Sequence, residues 1–171
     1  MFERWKERKT NRIVEQMIQD INSDQDKMTN SCIFRSFSCL PMQSTYYLVQ
    51  KNDSGGYDFI SFNFTHSGIV PEPEKILMTR KTETDLREFL TKLYKISHKW
   101  EKYYYRRVYD GGGWTLKMWN DDYNFSNAYP SNISSFYELL DFNFNSKDAI
   151  EYYDFKIEVN RPDVVFVKVF M

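Results

Sequence analysis

"DGGGWTLKMWNDDYNFSNAYP", residues 110–130, packs three consecutive glycines, two tryptophans and a proline into one short run. A phosphate cradle would place Gly-Lys-Ser/Thr after such glycines and open a helix whose N–H groups hold the anion. Here no such triplet follows, and Trp114, Leu116 and Met118 alternate with Thr115, Lys117 and Trp119, the two-residue period of a strand with one face inward. "NDD" (120–122) supplies a turn, "YNFS" (123–126) a return strand, and glycines 111–113 a loop ahead of the hairpin. The stretch therefore reads as β architecture.

Working outward, "CIFRSFSC" (32–39), "STYYLVQK" (44–51) and "YDFISFNF" (57–64) are rich in aromatic and β-branched residues and read as strands. "KNDSGGY" (51–57) between the last two has the Asn, Asp and Gly that a tight reversal uses, so a meander is expected. "ILMTR" (76–80) is a further strand candidate after the connector "THSGIVPEPEK" (65–75). "YYDFKIEVN" (152–160) and "DVVFVKVFM" (163–171) add two more, joined by "RP". Val165, Val167 and Val169 alternate with Phe166, Lys168 and Phe170, which predicts a central strand or one whose second face lies under a helix.

Helices follow from steps of three and four. Trp5, Ile13, Val14, Met17, Ile18 and Ile21, at such steps over the second half, form one stripe of a helix over Glu3 to about Ile21, and the polar run "NSDQDKMTNS" (22–31) is expected to be a loop. Leu86, Phe89, Leu90, Leu93, Ile96 and Trp100 mark the clearest helix, with Thr82 or Thr84 as its cap. "SNAYPSNISSFYELL" (126–140) predicts a proline-containing entry to a helix of about ten residues, capped by Ser131, Asn132 or Ser134 and facing inward through Phe136, Leu139 and Leu140.

Composition sets the bounds. At 171 residues the chain has room for one sizeable core, so a single domain is expected over 1–171, with a helix and loop at 1–28 and an α+β core at 31–171. Aromatics make up 18% of it, including 13 Tyr and 14 Phe, so the core must be built largely of rings. A formal net charge of −1 argues against a dedicated polyanion binder. Charge is nonetheless segregated: residues 80–107 hold nine bases against four acids, and residues 108–171 five bases against ten acids. "MFERWKERKTNR" (1–12) scatters charges with no apolar core, so neither a signal peptide nor a membrane span is expected and the expected compartment is the cytoplasm. The bases of these first helical turns read as a solvated face, or else as an attraction to an acidic partner. Cys32 and Cys39 match no common zinc spacing, and in a reducing compartment two thiols are the expected state.

"ISHKW" (96–100), "YDGGGWTLKMW" (109–119) and "SNAYPSNISSFYELL" (126–140) together resemble a poorly characterised group of small bacterial domains. Their pattern is a helix ending in Trp, then Asp-Gly-x-x-Trp-x-Leu, a short hairpin, Ser-Asn-Ala-Tyr-Pro and an amphipathic helix. The resemblance covers about residues 86–141, and "SNAYP" (126–130) is its most specific part. The common form has Asp-Gly-Thr-x-Trp, from which the extra glycine departs. The resemblance implies bacterial or phage origin and an α+β fold, and it implies no activity.

The inventory for catalysis is thin. His66 and His98 are the two histidines, no nucleophile elbow, His-Glu-x-x-His or Walker pattern accompanies them, and Asp110, Asp121 and Asp122 read as turn formers. No catalytic residue, metal or cofactor is expected. "KWEKYYYRRVY" (99–109) interleaves cations and rings, and Lys102, Tyr103, Tyr104, Tyr105, Arg106, Arg107 and Tyr109 fit either a single-strand stacking surface or a protein interface. Asn127 and Tyr129 either join that surface or brace the hairpin against the next helix. The expectation is an α+β fold: an antiparallel, aromatic-rich sheet of about six strands with two or three helices mainly on one face. Its expected work is binding a protein partner, as an inhibitor, immunity or anti-defence protein. Nucleic-acid binding through 99–109 is the alternative, an enzyme comes third, and no membrane partner is expected.

Overall fold

The structure, a computed structural model, describes residues 1–27, 32–39, 42–65, 73–108, 110–160 and 166–170. Its elements run α1 (Phe2–Lys27), β1 (Ile33–Cys39), β2 (Met42–Lys51), β3 (Tyr57–Thr65), β4 (Ile76–Lys81), α2 (Glu83–Ser97), β5 (Tyr103–Tyr105), β6 (Gly112–Met118), β7 (Asp121–Ser126), α3 (Ile133–Phe144), β8 (Ile150–Tyr152), β9 (Lys156–Asn160) and β10 (Phe166–Phe170). Eight strands form one sheet in the order β5-β7-β6-β1-β2-β3-β4-β8, and β9 pairs with β10 in a separate ribbon. Every pairing is antiparallel except that of β5 with β7.

Period-two alternation distributes the side chains between two cores. Phe34, Val49, Tyr57, Phe59, Trp114, Leu116 and Phe125 point to one face, where they meet Val14, Met17, Ile18 and Ile21 of α1, Leu86, Phe89, Leu90 and Leu93 of α2, and Phe136, Leu139, Leu140 and Phe144 of α3. Ile33, Tyr46, Leu48, Ile60, Phe62, Phe64, Ile76 and Met78 point to the other, where Ile157 of β9 and Val169 of β10 cover them. Rings pack edge to face through the first core: Phe34 on Phe136 at 5.5 Å, Phe59 on Phe89 at 5.0 Å, Trp100 on Phe125 at 5.3 Å. Each such fully buried ring contributes about 1.5–3 kcal/mol by leaving water.

Local chemistry sets the element ends. Thr82 caps α2 in a reciprocal box with Asp85, each satisfying the other's backbone N–H. Between β2 and β3, Asn52 Oδ1 accepts from the Ser54 and Gly56 N–H groups at 3.2 and 2.9 Å, while Gly55 takes φ +86°. Asn132 stands at the N-cap of α3, but its side chain does not cap: Oδ1 accepts from the Trp100 indole at 2.6 Å and Nδ2 donates to the Ile96 carbonyl at 2.8 Å. It thereby ties the end of α2 to the start of α3.

Several sequence expectations are corrected. The main sheet has eight strands, not about six, because β5 lies inside the basic-aromatic run and "YYDFKIEVN" (152–160) divides into the end of β8 and the whole of β9. The last strand is not central; it lies in the ribbon, held to the sheet by Gln50, whose amide donates to the Val169 carbonyl at 3.1 Å. Val165 falls outside the described residues. Helix α1 runs on to Lys27 through half of the expected loop, since residues 22–27 contain no glycine or proline to stop it. The hairpin turn is Trp119-Asn120, both at positive φ (56° and 61°), so Asp121 and Asp122 belong to β7. Gly112 and Gly113 are already strand, and α3 has 12 residues rather than about ten.

Gly113 explains the glycine run. A Cβ there would stand 1.8 Å from the Phe125 carbonyl oxygen and 2.8 Å from Cζ of Phe37, so neither neighbouring strand leaves room for a methyl group. Gly113→Ala is expected to lower stability by about 3 kcal/mol or more, read as a loss of Tm in thermal unfolding; an unchanged Tm would contradict the close approach. Asp58 offers a second check. Burial raises its carboxyl above the ordinary range, against the opposing effects of the Asn52 amide and of Arg80 at 4.0 Å. The ionised form is thus penalised by folding; the penalty is absent below the ordinary carboxylate range and complete once pH exceeds the raised folded value. Asp58→Asn is expected to raise Tm at pH 7 and to leave it nearly unchanged near pH 3.

Candidate functional site

Five strands place two side-chain rows on the face opposite the helices. One row is Tyr103, Asn124, Thr115, Arg35 and Tyr46, partners in register across β5, β7, β6, β1 and β2. The next is Tyr105, Ser126, Gly113, Phe37 and Ser44. Asn124, Thr115, Ser126 and Gly113 make a low polar floor, with Tyr103 and Tyr105 along one side. On the other side Arg35 lies 5.6 Å from the Phe37 ring and 5.9 Å from the Tyr46 ring, while its Nε donates to Ser44 Oγ at 3.2 Å. From β5 to β1 the floor spans three strand spacings, about 14 Å.

Tyr103 and Tyr105 are 62% and 57% exposed, and their rings lie nearly parallel, 6° apart with centroids at 6.2 Å. Their backbone is also open. The Asn124 N–H donates to the Lys102 carbonyl at 2.8 Å and the Arg106 N–H to the Ser126 carbonyl at 2.9 Å, so residues 102, 104 and 106 turn their main chain toward β7. In a parallel pairing the alternate residues, Tyr103 and Tyr105, then turn theirs to the free edge of the sheet.

The remaining sequence-predicted residues divide. Lys102 pairs with Asp121 at 2.6 Å, a contact that raises its pKa through that hydrogen bond. Arg106 and Arg107 are exposed, and Arg106 is held to β7 through its main chain. Tyr104 turns to the helix side, its ring 5.3 Å from Phe125, its hydroxyl accepting from the Glu101 N–H at 3.2 Å. Tyr109 and His66 fall outside the described residues. His98 ends α2 in the open, Nδ1 at 3.0 Å from the Lys95 carbonyl oxygen.

Asn127 serves the backbone. It sits at φ +55°, its Oδ1 accepts from the Gly112 N–H at 2.9 Å, and Nδ2 donates to the Arg106 carbonyl at 3.3 Å. Those bonds join the ends of β7, β6 and the strand that carries Tyr105. Tyr129 donates to the Gly112 carbonyl at 3.3 Å, and burial raises its pKa, with the neighbouring Tyr137 adding to the rise. The floor and the Arg35–Phe37 side were missed in the sequence. The alternation of Thr115 and Lys117 with apolar residues marked an outward face, but nothing local set Phe37 or Ser126 beside it.

Cys32 is buried and Cys39 exposed. Among the described residues no three His, Cys, Asp or Glu side chains converge to hold a metal ion, and no helix is long and apolar enough to cross a membrane. No protein-family model matches the chain, and neither does any curated protein or solved structure.

Asn127→Ala removes two hydrogen bonds and leaves a positive φ to a residue that disfavours it. A loss of about 2 kcal/mol in denaturant unfolding is expected, and faster amide exchange at Gly112 and Arg106 would locate it.

Proposed function

We propose that the protein is a non-catalytic binding module that grips a partner protein through the open sheet face and the adjoining edge of β5. The observation that carries this reading is the conjunction at Tyr103 and Tyr105: stacked, exposed rings and outward main-chain groups on the same two residues, beside two exposed arginines. Tyrosine and arginine are the residues on which interface energy concentrates, because each combines a large flat area with a polar end. An extended partner segment pairing with β5 satisfies the edge, and its alternate side chains then lie over the tyrosines and the Asn124–Ser126 floor. Arg106 and Arg107 favour carboxylates in that segment. Inhibitor, immunity and anti-defence proteins of bacteria or phage work in this way, by surface complementarity without a cofactor, and that is the class to which this protein is assigned.

The parallel tyrosine rings also favour a second reading, a single-strand nucleic acid with bases on Tyr103 and Tyr105 and phosphates on Arg106 and Arg107. The mixed charge of the surroundings, with Asp110, Asp121 and Asp122 close in sequence to the site, ranks it behind a protein partner.

Affinity capture from host lysate is expected to recover one stoichiometric protein, and Tyr103→Ala with Tyr105→Ala should weaken it by about thirtyfold per residue. Recovery of none, or undiminished binding by the double variant, rejects the reading. Oligonucleotide titration at low salt separates the two: salt-sensitive binding that Arg106→Glu with Arg107→Glu abolishes would install the nucleic-acid reading in its place.

A further inference from the structure

The far side of the open face carries a cation that pairing at β5 leaves unused. Arg35 and Phe37 of β1 stand in register with Tyr46 and Ser44 of β2, so the four side chains form a two-by-two block on the sheet. The Arg35 guanidinium lies within that block: its carbon is 5.6 Å from the Phe37 centroid and 5.9 Å from the Tyr46 centroid, and Nε donates to Ser44 Oγ at 3.2 Å. The groups that hold it are themselves fixed. Ser44 and Tyr46 are buried, Tyr46 stacks on Phe62 at 5.2 Å, and the Phe37 ring leans toward Gly113, its Cζ 2.8 Å from where a Cβ would be.

Two rings and a hydroxyl thus restrain a side chain that is otherwise among the most mobile. They leave Nη1 and Nη2, and among the described residues no hydrogen bond occupies these and no carboxylate lies within ion-pair distance. Arg35 is also partly buried, and a cation withdrawn from water is stabilised by an opposite charge. Lys117 belongs to the next row, in register with Ile33 on the side away from Ser44, and Asp122 stands opposite Lys117, two strands from Arg35. Lys102 and Asp121 pair with each other.

We propose that Arg35 is the receptor for a carboxylate of the partner protein, an Asp or Glu side chain on an extended segment that crosses the open face. This rests on the sheet-face reading and adds a second anchor to it, about 14 Å from the tyrosines of β5. The two Nη groups present parallel N–H bonds that match two carboxylate oxygens, as a lysine cannot. Between the anchors Thr115, Asn124 and Ser126 offer uncharged donors and acceptors to the main chain of a segment laid over them. An extended chain covers the distance in about four residues, which sets the spacing between the carboxylate and the part of the segment that meets Tyr103 and Tyr105. A nucleic acid is the poorer occupant: its phosphates recur along the strand, and the neighbouring cation, Lys117, already faces Asp122.

The test is a nuclear magnetic resonance titration of the isotope-labelled full chain with a capped peptide of alternating threonine and aspartate, whose carboxylates share one side, and with the same peptide carrying asparagine for aspartate. The aspartate peptide is expected to shift the Arg35 Nε–H resonance and the Phe37 and Thr115 amides, and the asparagine peptide to bind about tenfold more weakly or less. Arg35→Met keeps the stem on the rings, and Arg35→Lys keeps the charge without the fork. Both should lose about tenfold or more in affinity for the aspartate peptide while the Tyr103 and Tyr105 amides still respond. An unchanged Tm establishes that each variant folds, and if Arg35→Met unfolds, Arg35→Lys alone decides. Tyr103→Ala with Tyr105→Ala should weaken the peptide yet leave the Arg35 shift at saturation. A response at the tyrosines with none at Arg35 overturns this proposal and leaves the sheet-face reading standing; a response at Arg35 with none at the tyrosines does the reverse. No response at either, equal affinity for the two peptides, full affinity in Arg35→Lys, or a larger Arg35 shift with oligothymidylate than with the aspartate peptide overturns the proposal.

Discussion

The fold depends on how closely three strands approach around Gly113. Strand β6 lies between β1 and β7, and at this position the Phe125 carbonyl from one side and the Phe37 ring from the other occupy the space that any side chain would need. Strand β1 comes from a distant part of the chain, preceding the β6–β7 hairpin by more than 70 residues, and β1 carries the meander while β7 carries β5. If β6 could not seat itself there, the sheet would part into a four-strand meander bearing β8 and a separate hairpin. Neither half would bury Phe34, Trp114 and Phe136 against one another.

The same junction makes the candidate site. Because Gly113 carries no side chain, the row from Tyr105 to Ser44 dips in the middle, and the neighbouring row passes through Asn124 and Thr115. Asn127 then fixes the rim, bonding the start of β6 to the residue that follows β5. The parallel pairing of β5 with β7 turns the backbone of Tyr103 and Tyr105 outward while directing their rings to the open face. Architecture and the candidate site share residues here, so a substitution in "SNAYP" (126–130) alters the shape of the rim from outside the floor.

The two faces of the sheet are treated differently. Three helices and a ring-built core pack against one of them. Among the described residues the β9–β10 ribbon meets the other through residues of β1 to β4, and none of them packs over β5, β7 and β6 on that side. That part is polar at its centre and aromatic at its edge.

Sequence alone determined what local periodicity and local chemistry can encode. The stripe at Val14, Met17, Ile18 and Ile21, the alternation of Trp114, Leu116 and Met118, a threonine cap at Thr82 or Thr84 and the Asn-Asp-Ser-Gly-Gly reversal before Tyr57 all express forces acting within a few residues. They gave an α+β, ring-rich fold and singled out Tyr103 and Tyr105 as part of an aromatic run. Tertiary structure decided the rest: that Tyr104 faces inward while its neighbours face out, that β5 runs parallel to β7, that the last strand forms a ribbon rather than the sheet's centre, and that Arg35 and Phe37 face the tyrosines across the floor. Those outcomes depend on which strands lie side by side, a choice made by packing between segments far apart in the chain, and a three-residue strand has too few side chains to announce its partner in advance.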